Sequence, residues 1–264
     1  MKSAIAGTQL HYEVEGTGPA VLFLHAFPLN LRMWDAQARA LAPTHQVVRF
    51  DARGFGDTPP GDGLLTMERI ADDAMALLDH LGISKATVCG LSMGGYATFA
   101  LVRRHPARIN ALVLADTRTA PDSPDAKRSR SAQADTVRKE GPSGIVDGFL
   151  QKAVGDTTRK ERPEIVARVR DMILTAPARG IVDALAGLAA RADSGPTLRE
   201  IKVPALVVCG SEDALTPVAD SEVIHHGIPG SRLDLIPRSG HLSALEDPGA
   251  FNRALLEFLR TVPS

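Results

Sequence analysis

Between a mostly apolar run, Ala86-Thr87-Val88-Cys89, and a helical stretch, Tyr96 to Arg104, lies the pentapeptide Gly90-Leu91-Ser92-Met93-Gly94. A strand that must turn into a helix within so few residues needs a very tight corner. Glycines two residues to either side of the corner relieve its crowding. The residue at the corner is forced into a strained backbone conformation, and its side chain projects above the sheet. Here that residue is Ser92. A serine exposed at a helix N-terminus is a candidate for covalent catalysis.

The rest of the chain supplies the sheet that such a corner requires. Residues 1–14 read as two short strands around the turn Gly7-Thr8, with Leu10, Tyr12 and Val14 alternating with His11 and Glu13. Interior strands are expected at Ala20–Leu24, Val47–Phe50, Ala86–Cys89, Ile109–Ala115, Ala205–Cys209 and Leu233–Ile236. Helical spacing separates them: Ile70, Ala74, Leu77, Leu78 and Leu81 before Gly82, then Tyr96–Arg104, then Phe251, Leu255, Leu256 and Leu259. Alternating strands and helices predict an α/β domain with a mainly parallel sheet covered on both faces.

Residues 117–197 break the rhythm. A polar segment with two prolines, Ala120 to Ala132, is followed by helical pieces at Ile145–Val154, Glu164–Thr175 and Ile181–Arg191. This stretch is expected to form a helical cap inserted into a core made of 1–116 and 198–264.

With 264 residues the chain suffices for one large domain, and its formal net charge of -1 offers no basic surplus for a nucleic-acid partner. The N-terminus, Met1 to Thr8, lacks the apolar core of a signal peptide, and no run has the length of a membrane span, so a cytoplasmic protein is expected. Cys89 and Cys209 each end an apolar run before a glycine and read as buried strand residues. No His/Cys cluster has metal-binding spacing, and neither Gly54-x-Gly56 nor Gly90 to Gly95 completes a nucleotide-binding fingerprint. Neither a metal nor a cofactor is expected.

A serine hydroxyl is a weak nucleophile that needs a base, and the base needs an orienting carboxylate. Of the eight histidines, His241 stands apart, in a loop between the last strand and the last helix. Open α/β sheets build their sites at such C-terminal strand ends. The carboxylate should follow a strand between serine and histidine, and Asp213 in Gly210-Ser211-Glu212-Asp213 meets that demand. Glu212 and Asp116 are the alternatives. Thr216-Pro217 reads as an N-cap and first-turn proline of the next helix.

Attack on a carbonyl creates an oxyanion that needs two aimed N–H donors. The N–H of Met93 is one. The other is assigned to Phe27, in the loop Leu24-His25-Ala26-Phe27-Pro28, since Pro28 has no N–H. His25 is expected to tie this loop down rather than to act as a base. Asp51-Ala52-Arg53-Gly54-Phe55-Gly56 reads as an Asp–Arg pair and two glycines shaping a neighbouring turn, with Arg53 as a substrate anchor the alternative. Phe27, Met93, Trp34, Phe149, Leu150 and Met172 are candidates for an apolar acyl pocket, core packing being the competing role for the last four.

Taken in order, these five segments resemble the α/β-hydrolase superfamily over residues 8–116 and 198–261. The resemblance implies an eight-stranded, mostly parallel sheet and a Ser92–His241–Asp213 triad. One departure is Ala26, where the usual oxyanion loop has glycine; a positive φ there would strain alanine. Serine at the elbow argues against the dehalogenases and epoxide hydrolases, which are similar but use aspartate. Gly90-Leu91-Ser92-Met93-Gly94-Gly95, Ile201 to Leu206 and His241-Leu242-Ser243-x-Leu245-Glu246 look like 3-oxoadipate enol-lactonases, whereas Leu24 to Asn30 looks more like general carboxylesterases. The expectation is hydrolysis of a small-molecule ester through an acyl-enzyme. A lactonase, a C–C bond hydrolase and a perhydrolase on the same residues, and a ligand-binding receptor that keeps the fold, are the rivals.

Overall fold

The computed structural model describes residues 1–263. Eight strands, β1 (Lys2–Ile5), β2 (Thr8–Glu15), β3 (Ala20–Leu24), β4 (Gln46–Phe50), β5 (Ala86–Leu91), β6 (Ile109–Ala115), β7 (Ala205–Gly210) and β8 (Arg232–Ile236), form one sheet. Their order is β1-β2-β4-β3-β5-β6-β7-β8. Pairing is antiparallel for β1/β2 and β2/β4 and parallel from β4 through to β8. The mainly parallel sheet is what the alternating apolar runs and helices predict, and its eight strands are what the resemblance to the α/β-hydrolases implies.

Strand alternation divides the core between the two faces. On β3, Leu22 and Leu24 enter one layer while Val21 and Phe23 enter the other; on β6, Leu112 and Leu114 oppose Ala111, Val113 and Ala115. Each face is then covered by helices. α1 (Asp35–Leu41) and, at the chain's end, α11 (Pro248–Leu259) cover the second layer; α2 (Met67–His80) and α3 (Met93–Arg104) cover the first. α2 buries Ile70, Ala74, Leu77 and Leu78 along one stripe and starts at Thr66, whose hydroxyl accepts the Arg69 N–H. Full burial of each such leucine contributes about 2 kcal/mol.

Five helices lie in the chain between β6 and β7: α4 (Pro124–Glu140), α5 (Ser143–Ala153), α6 (Asp156–Glu161), α7 (Pro163–Leu174) and α8 (Ala178–Ala190). The longest, α4, corrects the reading of Ala120–Ala132 as a polar segment outside the helical pieces. It buries only Ala134 and Val137, so it carries almost no apolar stripe to read. Its start is nonetheless encoded: the Ser123 hydroxyl accepts the Ala126 N–H, and Pro124 occupies the first turn. After β7 come α9 (Val218–Gly227) and the one-turn α10 (Ser243–Glu246). Among the described residues no single helix is long and apolar enough to cross a membrane.

Candidate active site

The corner at Ser92 has the expected strain. Its φ is 54° and its ψ is -110°, a conformation that costs about 1–3 kcal/mol. The surrounding hydrogen bonds hold it there. Ser92 N–H donates to Ala115 O at 3.0 Å, and Ser92 O accepts from the Tyr96 N–H at 3.0 Å and the Thr117 hydroxyl at 3.1 Å. A Cβ on Gly94 would collide with the carbonyl of Leu24, so this glycine is required by close approach of α3 to β3. The strand runs two residues beyond the apolar run, to Leu91, and the helix starts at Met93, earlier than its periodicity suggests.

His241 arrives on the loop after β8. Its Nε2 lies 2.7 Å from Ser92 Oγ and its Nδ1 2.8 Å from Asp213 Oδ2. Asp213 is fixed in turn: Oδ1 accepts the N–H groups of Leu215 and Thr216 at 2.8 and 2.9 Å, and Oδ2 accepts the Thr216 hydroxyl at 2.7 Å. Burial pushes the Asp213 carboxyl up, but the neighbouring imidazole and these hydrogen bonds outweigh burial and hold it below its usual value. For His241, burial lowers the pKa, and the Asp213 charge and hydrogen bond outweigh that too, leaving it above the ordinary imidazole value.

Thr216 corrects the N-cap reading. Its hydroxyl binds Asp213 and approaches His241 Nδ1 at 3.1 Å, while α9 begins at Val218 behind Pro217. An Asp-x-x-Thr turn was the available signal, since aspartate commonly bonds backbone a few residues on. The two alternative acids have other partners. Glu212 accepts the Thr157 N–H at 2.9 Å and the Thr157 hydroxyl at 2.5 Å. Asp116 is fully buried behind Asp213, accepts the Gly210 N–H at 2.8 Å and is hydrogen-bonded to the Ser243 hydroxyl. Burial, then the Asp213 charge, raise its carboxyl well above the usual range.

The loop after β3 holds Phe27, whose ring packs edge-on against Phe55 and Phe149. Ala26 escapes the expected strain, because it is not among the residues with positive φ. His25 is a tie, as expected: its Nε2 accepts the Ala52 N–H at 3.0 Å and its Nδ1 lies 3.0 Å from Ala26 O. Burial pushes this imidazole down, toward the neutral form those bonds require. The Asp51–Arg53 pair does not form. Arg53 makes a bidentate pair with Asp73, at 2.7 Å for both bonds, and Asp51 instead accepts the N–H groups of Leu31 and Asp57.

A cavity of about 500 Å³ opens over Ser92 and His241, walled by Phe27, Tyr96, Phe149 and polar side chains of α4. Four pocket candidates have side chains elsewhere, Met93 in the first core layer among them. Trp34 is packed between Phe23 and Phe251, with ring centroids 4.8 and 6.0 Å away. Leu150 and Met172 belong to the same core layer. Successive helical residues point about 100° apart, so Phe149 can face the cavity while Leu150 faces the core. Met93 has a buried side chain, and its N–H belongs to the first turn of α3, where the helical ladder leaves donors free. Asp116, Cys209 and Asp213 bring potential ligand atoms within 4.8 Å of one another. The burial that raises the Cys209 thiol and the Asp116 carboxyl favours their neutral forms and fits a cation poorly.

A family model for the alpha/beta hydrolase fold matches residues 19–248. The esterase from Thermogutta terrifontis, solved with malate bound, superposes with a TM-score of 0.96 at 40% identity, covering 100% of this chain and 97% of that one. The enol-lactonase from Burkholderia xenovorans LB400 gives 0.92 at 31% identity, over 98% and 100% of the two chains. The 3-oxoadipate enol-lactonase 2 of Acinetobacter baylyi is 32% identical over 237 residues, 90% of this chain and 87% of that protein. The chain belongs to the α/β-hydrolase fold family, and within it to the ester hydrolases.

Proposed function

We propose that this ester hydrolase works through an acyl-enzyme on Ser92. His241 Nε2 takes the hydroxyl proton as Ser92 Oγ attacks the carbonyl carbon. Asp213 holds the imidazole tautomer and stabilises its charge. The N–H groups of Met93 and Phe27 receive the oxyanion, each worth about 3 kcal/mol. The protonated His241 then gives its proton to the departing alcohol. Water, activated by the same imidazole, releases the acid and restores Ser92. The observation that carries this reading is the unbroken path Ser92 Oγ–His241–Asp213, at 2.7 and 2.8 Å.

Residues 117–197 act as a helical cap over the site, with Phe149 of α5 meeting Phe27 across the cavity. The substrate is a small carboxylic ester, to which the 40% identity with an esterase inclines the reading. A lactone is the second reading, supported by two enol-lactonases at 31% and 32% identity. The test is a series of p-nitrophenyl esters graded by chain length beside several lactones, run with wild type and Ser92→Ala. Turnover by wild type, with loss in the variant at an unchanged melting temperature, supports the reading. Full activity in Ser92→Ala rejects Ser92 as nucleophile.

A further inference from the structure

The cavity over Ser92 holds charges that ester cleavage does not use. Asp122, whose side chain is fully buried, meets three guanidinium groups. Arg191 donates to it at 2.6 Å, Arg130 through Nε and Nη2, and Arg118 at 3.4 Å. Two of the three have a structural task. Arg191 is buried, also donates to the carbonyls of Leu188 and Ala120, and lies 4.3 Å over the Tyr96 ring. Arg130 secures α4 to the segment that precedes it.

Arg118 is different. Its bond to Asp122 is long, its Nε is buried without a hydrogen-bond partner, and its side chain is 28% exposed on the cavity wall. Arg130, 20% exposed, also lines the cavity, as does Lys152 of α5. Asp220, in the first turn of α9, feels the Arg118 charge. Three cations, Arg118, Arg130 and Lys152, therefore line a cavity with one lining carboxylate, Asp122, and a second, Asp213, behind His241. Walls of low polarisability screen that excess poorly, so it acts on whatever enters.

We propose that the cavity selects substrates bearing a second, ionised carboxylate: half-esters of dicarboxylic acids. Arg118 and Arg130 receive the free carboxylate while the ester carbonyl meets Ser92. A guanidinium fork matches a carboxylate through two parallel N–H bonds, which fixes orientation as well as charge. Cleavage rests on the Ser92 reading above; recognition of the carboxylate does not. For monomethyl glutarate, water adds across the ester bond, methanol departs, and glutarate and one proton are released.

Two measurements separate the claims. In the first, calorimetry on Ser92→Ala compares glutarate with neutral glutaramide. Glutarate should bind, glutaramide should not, and sodium chloride should weaken glutarate. Adding Arg118→Gln should weaken glutarate about tenfold, with part of the loss recovered by Arg118→Lys. Melting curves verify that each variant is folded. In the second, wild type is given monomethyl and dimethyl glutarate. The half-ester should be preferred, and the ratio of the two kcat/KM values should fall about tenfold in Arg118→Gln. Equal binding of glutarate and glutaramide overturns the proposal. Ser92-dependent cleavage of p-nitrophenyl acetate without preference for the half-ester also overturns it, and leaves the hydrolase reading standing. Selective glutarate binding with neither ester cleaved supports the carboxylate site and sinks the Ser92 reading instead.

Discussion

Glu246 grips His241 from both sides: its carboxyl oxygens accept the backbone N–H groups of Gly240 and Leu242, the residues flanking the imidazole. The same side chain accepts the N–H of Gly155, the residue that opens α6, and His241 N–H itself donates to Ala153 O. The loop that carries His241, the proposed base, is thus fastened to the inserted helices as well as to the sheet.

Glu246→Ala should therefore cost both stability and turnover. Three buried N–H groups would lose their acceptor, at about 1–3 kcal/mol each. The expected result is a fall of about 3 kcal/mol or more in unfolding free energy by urea titration. In the protein that remains folded, kcat should fall more than KM rises, because the imidazole is misplaced rather than the cavity altered. Wild-type kcat with only a lower melting temperature would deny Glu246 its positioning role.

The pH dependence follows from His241. Its protonated form cannot accept the Ser92 proton, and the Asp213 charge and hydrogen bond, set against burial, hold its pKa above the ordinary imidazole value of about 6.5. Activity is then lost as pH falls through that raised pKa. A plot of kcat/KM against pH should show an acid limb above 6.5. In Asp213→Asn the limb should move to lower pH, and kcat should drop by a factor on the order of 10⁴. An unmoved limb would show that another group controls it.

Asp116 offers a stability test with the opposite sign from an ion-paired carboxylate. Its folded pKa is raised by burial and by Asp213, so the unfolded chain releases this proton at lower pH than the folded one. Wild type is penalised increasingly as pH rises from about 4 toward the folded pKa. Asp116→Asn keeps an oxygen for the Gly210 N–H, tolerates the φ of 44°, and cannot ionise. The melting temperature of the variant relative to wild type should rise with pH; a constant difference would mean Asp116 ionises normally.

Thr216→Val removes one hydroxyl of almost unchanged volume. Asp213 loses a 2.7 Å hydrogen bond and His241 a 3.1 Å neighbour. A loss of about 1.4 kcal/mol of transition-state stabilisation lowers kcat about tenfold. Stopped assays at saturating ester measure this directly, and an undiminished kcat would leave Thr216 with no part in orienting the dyad.

Core and cavity aromatics should separate cleanly. Trp34→Ala empties a fully buried site between Phe23 and Phe251 and should cost about 3–5 kcal/mol while leaving chain-length preference alone. Phe149→Ala enlarges the cavity beside Phe27 and should shift that preference toward bulkier esters at little cost in stability. The reverse pattern would mean that the two aromatics had been assigned to the wrong places.

What could be read before folding was whatever repeats along the chain. The strand runs, the helical stripe of α2, and the strand–corner–helix unit around Ser92 all express backbone periodicity; each is found where predicted, with the strand and helix meeting closer to Ser92 than the periodicity shows. α4 escaped because a helix that buries only two side chains leaves no stripe, even though Ser123 and Pro124 announce its start. For Trp34, Leu150 and Met172 the sequence leaves pocket and core both open, because apolar character alone does not distinguish a core wall from a cavity wall, and packing puts all three in the core.

The chain order of serine, acid and histidine, each beyond a strand, belongs to the sequence, because a parallel sheet puts successive strand ends on one edge. Tertiary structure decided the rest. It set Asp213 rather than Asp116 or Glu212 against His241, drew Thr216 away from the helix end, and gathered Arg118, Arg130 and Arg191 around Asp122. Those choices rest on contacts such as the 2.8 Å between His241 and Asp213 and the 2.6 Å between Arg191 and Asp122, residues far apart in the chain. Only the packing of sheet, loops and inserted helices sets such distances.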